Sequence, residues 1–333
     1  MEVRNSRQEK FISGVVKKLW GLEPQKVKYL GCSVNETYRI ICSNGTMALR
    51  KSLKTPYYSL DKAISEYELL KNLQDSLFST IIRPVAPPIE EGGSIYFLTY
   101  WIEGNKFDGS SLELVRSAKY LANLHQNLER LNFKLESSYG DSYVDDMLSG
   151  KPSTHIDFSR YYPYEGKGIC GSDIHFLENV RNNVSNPKVD WKTILGEKQI
   201  IHGDPREENF IFGSRKEPIM IDFQGARNDY PLSDLAWAIS TGFCEMKSVG
   251  MDLDKTKLFL RNYTELRKAR DLSLLPSLIR IRHLRSIETS LYFDFFAKAK
   301  RSELTLKREK GINFLKWLDS NEKGLLRIID KLN

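Results

Sequence analysis

The spacing of apolar residues changes several times along the chain, and each change predicts a different kind of element. Apolar residues recur at helical spacing over residues 6–20, which predicts an amphipathic helix. Short, partly alternating runs follow, and Asn44-Gly45 separates two of them. Asn-Gly is a strong hairpin signal because both residues tolerate positive φ. We therefore predict an antiparallel sheet, with strands in the runs 26–30, 38–42, 46–52 and 95–102.

The rest of the chain is mainly helical in pattern. Helices are predicted over 60–74 and 112–128, and a stretch with little periodicity over 137–171 predicts a long loop or lid. Beyond residue 172 the pattern is helical apart from short strands within 199–223. The predicted fold class is therefore α+β, with a small antiparallel-sheet lobe over 1–103 and a larger helical lobe over 104–333.

Composition limits the function only weakly. The 333 residues are 41% hydrophobic and 28% charged, with a formal net charge of +7 and a pI near 9.0. A basic balance fits a nucleotide, and equally nucleic acid or an anionic membrane. The four cysteines form no C-x-x-C pair, which argues against a zinc or redox motif. No apolar run approaches the length of a membrane span, so we expect a cytoplasmic protein.

The strongest chemical signal lies in the segment 199–240. Two short apolar strands flank a turn there, with His202-Gly203-Asp204 before the first strand and Asp222 at the end of the second. Asn209 lies five residues after Asp204. Phosphoryl transfer needs a carboxylate that orients the acceptor hydroxyl and takes its proton. It also needs oxygen ligands for Mg²⁺, and two protein oxygens are enough because this ion keeps several waters.

The order H-G-D-x-x-x-x-N followed by I-D-F resembles the aminoglycoside phosphotransferase and choline kinase superfamily, which includes type II homoserine kinases. These small-molecule kinases are distant relatives of the protein kinases, whose H-R-D and D-F-G segments act in the same way. Gly203 and Gln224 replace an arginine and a glycine of the protein kinases, which favours the small-molecule branch. The resemblance implies a bilobal protein-kinase-like fold, with Asp204 as the catalytic residue and Asn209 and Asp222 as magnesium ligands.

The resemblance extends upstream to the predicted nucleotide site. The segment 30–35 is similar to the family's nucleotide-covering hairpin, which implies that Ser33 and Asn35 contact the nucleotide. Arg50 stands where kinases have their phosphate-binding lysine, and Lys51 faces the other way if the strand is regular. Which of the two reaches the phosphates is left open.

Three further positions match nucleotide-binding elements of the family. Glu66 matches the helix glutamate that pairs with the phosphate-binding cation. The segment 99–104 resembles the hinge, whose backbone at Tyr100 and Ile102 would meet the adenine edge.

Other matched residues are predicted to be structural. Asp234, in the D-L-A segment, is expected to brace the catalytic loop, and His202 to support it. His125 is interpreted as a packed core residue. The basic stretch 280–285 is interpreted as a helix face that is solvated or paired with acids, with an anion or substrate site as the alternative.

The resemblance implies an ATP- and Mg²⁺-dependent transfer of the γ-phosphate to a hydroxyl of a small molecule, with neither nucleic acid nor membrane as a partner. One alternative is a non-catalytic nucleotide-binding pseudokinase, and another is a kinase acting on protein-linked sugar groups. Residues 246–333 hold twenty Lys and Arg against eleven Asp and Glu. This excess favours a neutral, zwitterionic or anionic acceptor over a polycation.

Overall fold

In the computed structural model of the chain, the described residues are 2–32, 35–55, 58–76, 80–133, 135, 142–148, 158, 161, 169–184, 191–213, 217–246, 249–296 and 301–332. Backbone contacts divide the chain into two units. The first unit comprises Met1–Lys106, Arg130–Tyr139 and Ile211–Gln224. The second unit comprises Phe107–Glu129, Gly140–Phe210 and Gly225–Asn333. The predicted lobes 1–103 and 104–333 follow chain order alone and stay a prediction.

The first unit is built on an antiparallel sheet of five strands in the order β1-β2-β3-β5-β4. Its elements are α1 (Glu2–Trp20), β1 (Pro24–Cys32), β2 (Glu36–Cys42), β3 (Gly45–Leu53), α2 (Leu60–Asp75), β4 (Ile89–Glu91) and β5 (Ser94–Tyr100). The predicted hairpin is confirmed, because Cys42 pairs with Gly45 across the β2–β3 turn. A kinase-like small lobe implies five strands, as observed, but the short edge strand β4 has no alternation of its own, so the pattern did not locate it.

A buried core joins α1 to this sheet. Ile12 and Val16 of α1 pack with Tyr38, Ile40 and Leu49, and all five are almost fully buried. The pattern that predicted the helix over 6–20 is thus the stripe that α1 buries. Arg50 and Lys51 therefore stand on a strand whose other residues are fixed in register by the core and by two neighbouring strands.

The second unit is mainly helical. Its elements are α3 (Ser111–Arg130), α4 (Tyr143–Leu148), α5 (Gly171–Val184), α6 (Trp191–Leu195), β6 (Gln199–Ile201), β9 (Arg227–Asp229), α7 (Pro231–Ser240), α8 (Leu253–Leu266), α9 (Leu275–Phe296) and α10 (Arg301–Asp330). Two more strands, β7 (Phe210–Ile211) and β8 (Ile219–Met220), form a two-stranded sheet, and the boundary between the units falls inside β7.

The helix α9 is the centre of the second unit, where α4, α5, α7 and α10 pack against it. Its apolar residues Leu278, Ile281, Leu284 and Leu291 are fully buried, as in a helix covered on all sides. The strand β6 pairs with β9 and ends immediately before His202. No helix in the described part of the chain is long and apolar enough to cross a bilayer.

Candidate active site

The loop after β6 has a conformation that only glycine allows at position 203. Gly203 has φ +84°, and a Cβ there would lie 2.0 Å from the carbonyl oxygen of Gly225. Such a distance excludes any side chain, because the obstacle is backbone and not a flexible side chain. The glycine that distinguishes this sequence from H-R-D is therefore required by the packing of the loop against Gly225.

Asp234 of α7 holds this loop by accepting two of its backbone N–H groups. Its Oδ2 accepts the backbone N–H of His202 at 2.8 Å, and its Oδ1 accepts that of Gly203 at 2.9 Å. Asp234 is fully buried. Burial alone would raise the pKa of Asp234, but the hydrogen bond and charge of His125 outweigh it and lower the pKa. The predicted bracing contact of Asp234 is thus present.

His125 contributes to the brace, which sequence reasoning missed. Its Nε2 lies 3.2 Å from Asp234 Oδ2 and its Nδ1 lies 2.7 Å from the Tyr263 hydroxyl. The histidine is fully buried, and this burial lowers its pKa. The only sequence signal for this contact was a histidine on the inner face of α3. Its partner Tyr263 lies more than a hundred residues further along the chain, so the spacing could not predict the pair.

Asp204 projects from the loop with its carboxylate partly exposed and bound by the side chains of Trp237, Arg206 and Asn209. Trp237 Nε1 donates to Oδ1 at 2.7 Å, and Arg206 forms a two-pronged ion pair, with Nε to Oδ1 at 2.9 Å and Nη2 to Oδ2 at 3.0 Å. Burial by itself would raise the pKa of Asp204. The charge of Arg206 and the hydrogen bonds from Trp237 and Arg206 prevail and lower that pKa to about 2. The carboxylate is therefore ionised at any physiological pH.

Asn209 ends the short 3₁₀ turn Glu207–Asn209 that follows Asp204. Its Nδ2 donates to the Asp204 carbonyl at 2.8 Å and to the Asp204 carboxylate at 3.3 Å. The nitrogen end of the amide is thus fixed toward Asp204. The amide oxygen is the atom that could bind a cation, as the resemblance requires.

The first unit brings Arg50, Glu66 and Asp222 together. Arg50 Nη1 donates to Glu66 Oε1 at 3.1 Å and to Asp222 Oδ1 at 2.9 Å, and Arg50 Nη2 donates to the Tyr58 hydroxyl at 2.6 Å. Burial alone would lower the pKa of Arg50, but the charges of Glu66, Tyr58 and Asp222 raise it well above its usual value. The cation–glutamate pair implied by the resemblance is therefore present. Lys51 points elsewhere, to Glu36 at 3.1 Å.

Asp222 has a backbone conformation that marks it out. Its φ of +62° is the only positive value at a non-glycine position in the described residues. Aspartate tolerates the left-handed region better than most residues, but the conformation still costs on the order of 1 kcal/mol or more. Such strain clusters at functional sites, which supports a role for this carboxylate beyond packing.

The remaining predicted nucleotide contacts are placed only in part. Asn35 Nδ2 donates to Gln224 Oε1 at 2.7 Å within the first unit. Tyr100 ends β5, with its side chain exposed and its backbone N–H donated to the Arg83 carbonyl at 2.9 Å. Ile102 lies two residues after Tyr100, beyond the end of β5, and Ser33 lies outside the described residues. The nucleotide roles of all these residues stay predictions.

The described residues contain no group of three or more His, Cys, Asp or Glu side chains that could hold a metal ion. Magnesium does not require such a group, because it usually keeps several waters and takes one or two protein oxygens. Asp222 offers a carboxylate and Asn209 an amide oxygen, and both are hard donors that suit this ion. The donor chemistry therefore fits the predicted metal.

Comparison with known proteins supports the resemblance to small-molecule phosphotransferases. Residues 175–269 match the model of the phosphotransferase enzyme family, a span that contains Asp204, Asp222 and Asp234. A sequence search of curated proteins found no match. The match covers less than a third of the chain and agrees there with the resemblance to the aminoglycoside phosphotransferase and choline kinase superfamily.

Solved structures confirm the α+β, protein-kinase-like fold class. A microcompartment-associated aminopropanol kinase is similar with a TM-score of 0.73 at 15% identity, over 96% of this chain and 100% of that one. A choline kinase from Streptococcus pneumoniae has a TM-score of 0.63 at 17% identity, over 91% and 98%. A spectinomycin phosphotransferase in complex with ADP and spectinomycin has a TM-score of 0.62 at 12% identity, over 93% and 98%. At these identities the likeness shows the fold alone.

Proposed function

We propose that this chain transfers the γ-phosphate of ATP to a hydroxyl of a small molecule, with Mg²⁺ as the metal ion. The observation that carries the proposal is the state of Asp204. Its carboxylate is ionised, partly exposed and fixed by Trp237 and Asn209 in a loop that Asp234 braces. Structures with bound ADP and acceptor exist for a protein of this fold, which supports the choice of substrates.

Asp204 would act mainly by positioning the acceptor. A carboxylate with a pKa of about 2 is a weak base, so it would not remove the hydroxyl proton before the bond to phosphorus forms. The transition state of phosphoryl transfer is loose, and little negative charge is needed on the attacking oxygen until late. Asp204 would therefore accept the hydroxyl hydrogen bond, aim the oxygen at the γ-phosphorus and take its proton as transfer completes.

The nucleotide roles rest on the first unit and on the resemblance. Arg50, which Glu66 holds in place, would neutralise the phosphates. Asp222 and Asn209 are the proposed oxygen ligands of Mg²⁺, which would supply charge neutralisation between the phosphates when bound. The ion pair between Asp222 and Arg50 would have to rearrange when the metal binds.

The proposal is tested by measuring nucleotide binding and transfer separately. ATP binding is measured by calorimetry with and without Mg²⁺ for the wild type, Asp222→Ala and Asn209→Ala. ADP release is then followed with a panel of alcohols of different charge. Asp222→Ala should remove most of the Mg²⁺ dependence, because an anionic ligand of a hard cation is lost, and Asn209→Ala should weaken it less. An unchanged Mg²⁺ dependence in both variants would refute the metal assignment.

A non-catalytic nucleotide-binding protein is the second candidate. Arg206 occupies both carboxylate oxygens of Asp204, and Arg50 occupies Asp222. If these pairs persist with ligands bound, neither carboxylate is free for catalysis. ATP binding without ADP release, for every acceptor class including glycated protein, would support this second candidate.

A further inference from the structure

Three buried arginines of the second unit surround one tyrosine ring. Arg227 opens β9, while Arg282 and Arg285 lie one turn apart on α9, and their guanidinium carbons are 3.8, 5.2 and 4.9 Å from the centre of the Tyr143 ring. The three arginines, which we call the arginine cluster, are only 4%, 5% and 8% exposed. Buried arginine is rare unless it is paired.

The arginine cluster has more arginines than it has carboxylates within ion-pair distance. Asp229 lies 3.1 Å from Arg227, and Glu288 lies 3.5 Å from Arg285. Within the described part of the chain, no carboxylate lies within ion-pair distance of Arg282. Burial and then the charge of Arg227 lower the pKa of Arg282 to about 10.

The two carboxylates are also used by other donors. Asp229 accepts the Ser142 hydroxyl at 2.6 Å and the backbone N–H of Tyr230 at 2.9 Å. His283 adds no positive charge, because burial and the charge of Arg282 lower its pKa to about 3. Within ion-pair distance the three arginines therefore have two carboxylates, and Asp234 and Asp204 act on Arg282 only from further away.

Each arginine also keeps a buried nitrogen that no acceptor contacts among the described residues. These atoms are Nη2 of Arg227, Nε of Arg282 and Nε of Arg285. An unsatisfied buried donor is unfavourable, and more so when it carries charge. Guanidinium groups bind carboxylate and phosphate oxygens through paired N–H donors, so an oxyanion would satisfy these donors and supply the ion pair that Arg282 lacks among the described residues.

The arginine cluster adjoins the catalytic loop. Arg282 and Arg227 both donate to the carbonyl oxygen of Gly203, the residue before Asp204. Arg282 also lies 4.7 Å from the centre of the Trp237 ring, and Trp237 donates to Asp204 Oδ1. One aromatic ring thus separates Arg282 from the carboxylate that would orient the acceptor hydroxyl.

We propose that the arginine cluster binds an oxyanion group, carboxylate or phosphate, carried by the same small molecule whose hydroxyl is phosphorylated. This inference rests on the proposed function and adds the chemical class of the acceptor. The sequence-based interpretation of 280–285 as an acid-paired helix face holds for Arg280 and Arg285, and Arg282 is the exception that favours the alternative of an anion site. Arg280 is paired with Asp319 and Glu322 and Arg285 with Glu288, whereas Arg282 is buried with no carboxylate at ion-pair distance among the described residues.

The test uses Arg285→Gln, because Arg285 makes no contact with the catalytic loop among the described residues. The matched control is Arg280→Gln, on the same helix and with the same loss of charge, at a site paired with acids. Arg285→Lys tests whether charge alone restores the effect. The probes are D-glycerate, glycerol 3-phosphate, glycerol and 3-aminopropan-1-ol, each titrated into the full-length protein by calorimetry.

At least one of the two anions should bind the wild type about tenfold or more tightly than glycerol or the amine does. Arg285→Gln should weaken that binding about 10- to 100-fold, as expected for the loss of a charge-assisted hydrogen bond, while Arg280→Gln leaves it unchanged. Arg285→Lys should recover part of the affinity. The preferred anion distinguishes a carboxylate-bearing acceptor from a phosphate-bearing one.

Two outcomes would overturn the inference. One is anion binding no tighter than glycerol binding in the wild type, and the other is an equal effect of Arg285→Gln and Arg280→Gln. A purely structural arginine cluster would lower the melting temperature of Arg285→Gln without changing its anion affinity. ATP binding is measured in parallel as a separate test of the proposed function. A wild type that binds no ATP would refute the proposed function, and the anion titrations would still test the arginine cluster.

Discussion

Asp204 is an ionised carboxylate that three side chains bind and that is still partly exposed to solvent. The hydrogen bonds of Trp237 and Asn209 fix its direction, and Arg206 holds its pKa near 2. An acceptor hydroxyl would therefore meet an oriented hydrogen-bond acceptor that stays ionised at physiological pH. Replacement of the charge alone should reveal how much of the rate depends on it.

Asp204→Asn should lower turnover about 10²- to 10⁴-fold, the usual contribution of a positioning general base. ATP affinity should stay almost the same, because the variant keeps the shape of the side chain and an oxygen for Trp237. The measurement is ADP release at saturating substrates, with calorimetry for ATP. Glu208→Gln, an equivalent change two residues beyond Arg206, is the control. Near-normal turnover of Asp204→Asn would disprove the catalytic assignment.

Arg206→Gln should raise the pKa of Asp204, because it removes the cation that lowers it. In the wild type the lowered pKa stabilises the fold above the unfolded value of about 3.9, and this contribution is lost as the pH falls toward 2. The variant should therefore unfold at a higher pH on acidification and lose activity at a higher pH. Circular dichroism and kcat/KM between pH 3 and 8 would show both shifts, and coincident profiles would contradict the prediction.

Sequence reasoning succeeded at the residues whose spacing is local. Asp204 and Asn209 share one loop, so their order along the chain carries their relation. It failed where a contact joins distant segments, as with His125 and Tyr263. It also failed for Arg282, whose burial depends on the helices that surround α9 and not on the pattern of α9 itself.

Among the elements, β3 shows how a strand selects one of two neighbouring cations. Arg50 and Lys51 face opposite sides of the sheet, as the period of two requires. Glu66, only 4% exposed, depends on Arg50 for its neutralisation. Glu36, the partner of Lys51, is more exposed.

Arg50→Ala should cost about 3–5 kcal/mol of stability, because it leaves Glu66 as an uncompensated buried charge. Lys51→Ala should cost less, about 1 kcal/mol, because Lys51 and Glu36 are both partly exposed and solvent screens their charges. ATP affinity should fall further in Arg50→Ala than in Lys51→Ala. Urea unfolding and ATP titration of the two variants provide the comparison, and the reverse ranking would assign the phosphate-binding role to Lys51.

The loop after β6 depends on Gly203 for two separable reasons, its positive φ and its contact with Gly225. Gly203→Ala should destabilise the protein by about 1–3 kcal/mol and lower turnover about 10²-fold, because the displaced loop moves Asp204. Gly109→Ala is a matched control, since Gly109 has the same φ of +84° and nothing within 4 Å of an added Cβ. Equal effects of the two substitutions would mean that backbone strain alone is responsible.

For the molecule as a whole, the fold class was predictable because an alternating segment precedes a helical one. The division into two units was harder to predict, because the first unit includes residues 211–224 from late in the chain. The formal net charge of +7 is another property of the whole chain, and it acts on any charged substrate.

A polycationic aminoglycoside should be a poor acceptor, with kcat/KM well below the roughly 10⁴ M⁻¹s⁻¹ expected of a natural substrate. A pocket for such a compound needs carboxylates that match its ammonium groups, whereas residues 246–333 carry a large excess of basic side chains. Steady-state assays with kanamycin, choline, homoserine and simple sugars would test this. Efficient turnover of kanamycin would contradict it.

The lack of room for a side chain at Gly203 has a consequence for how the enzyme could be regulated. Protein kinases commonly switch when a phosphorylated loop is captured by an arginine, which orders the segment around the site. No arginine can stand at position 203 here, because the Gly225 carbonyl occupies the space that even a methyl group would need. The carboxylate of Asp234 holds the loop instead, and this group is a side chain of α7 that needs no covalent modification. We therefore expect a constitutively assembled catalyst, whose output follows the supply of its substrates and not a covalent signal at this position.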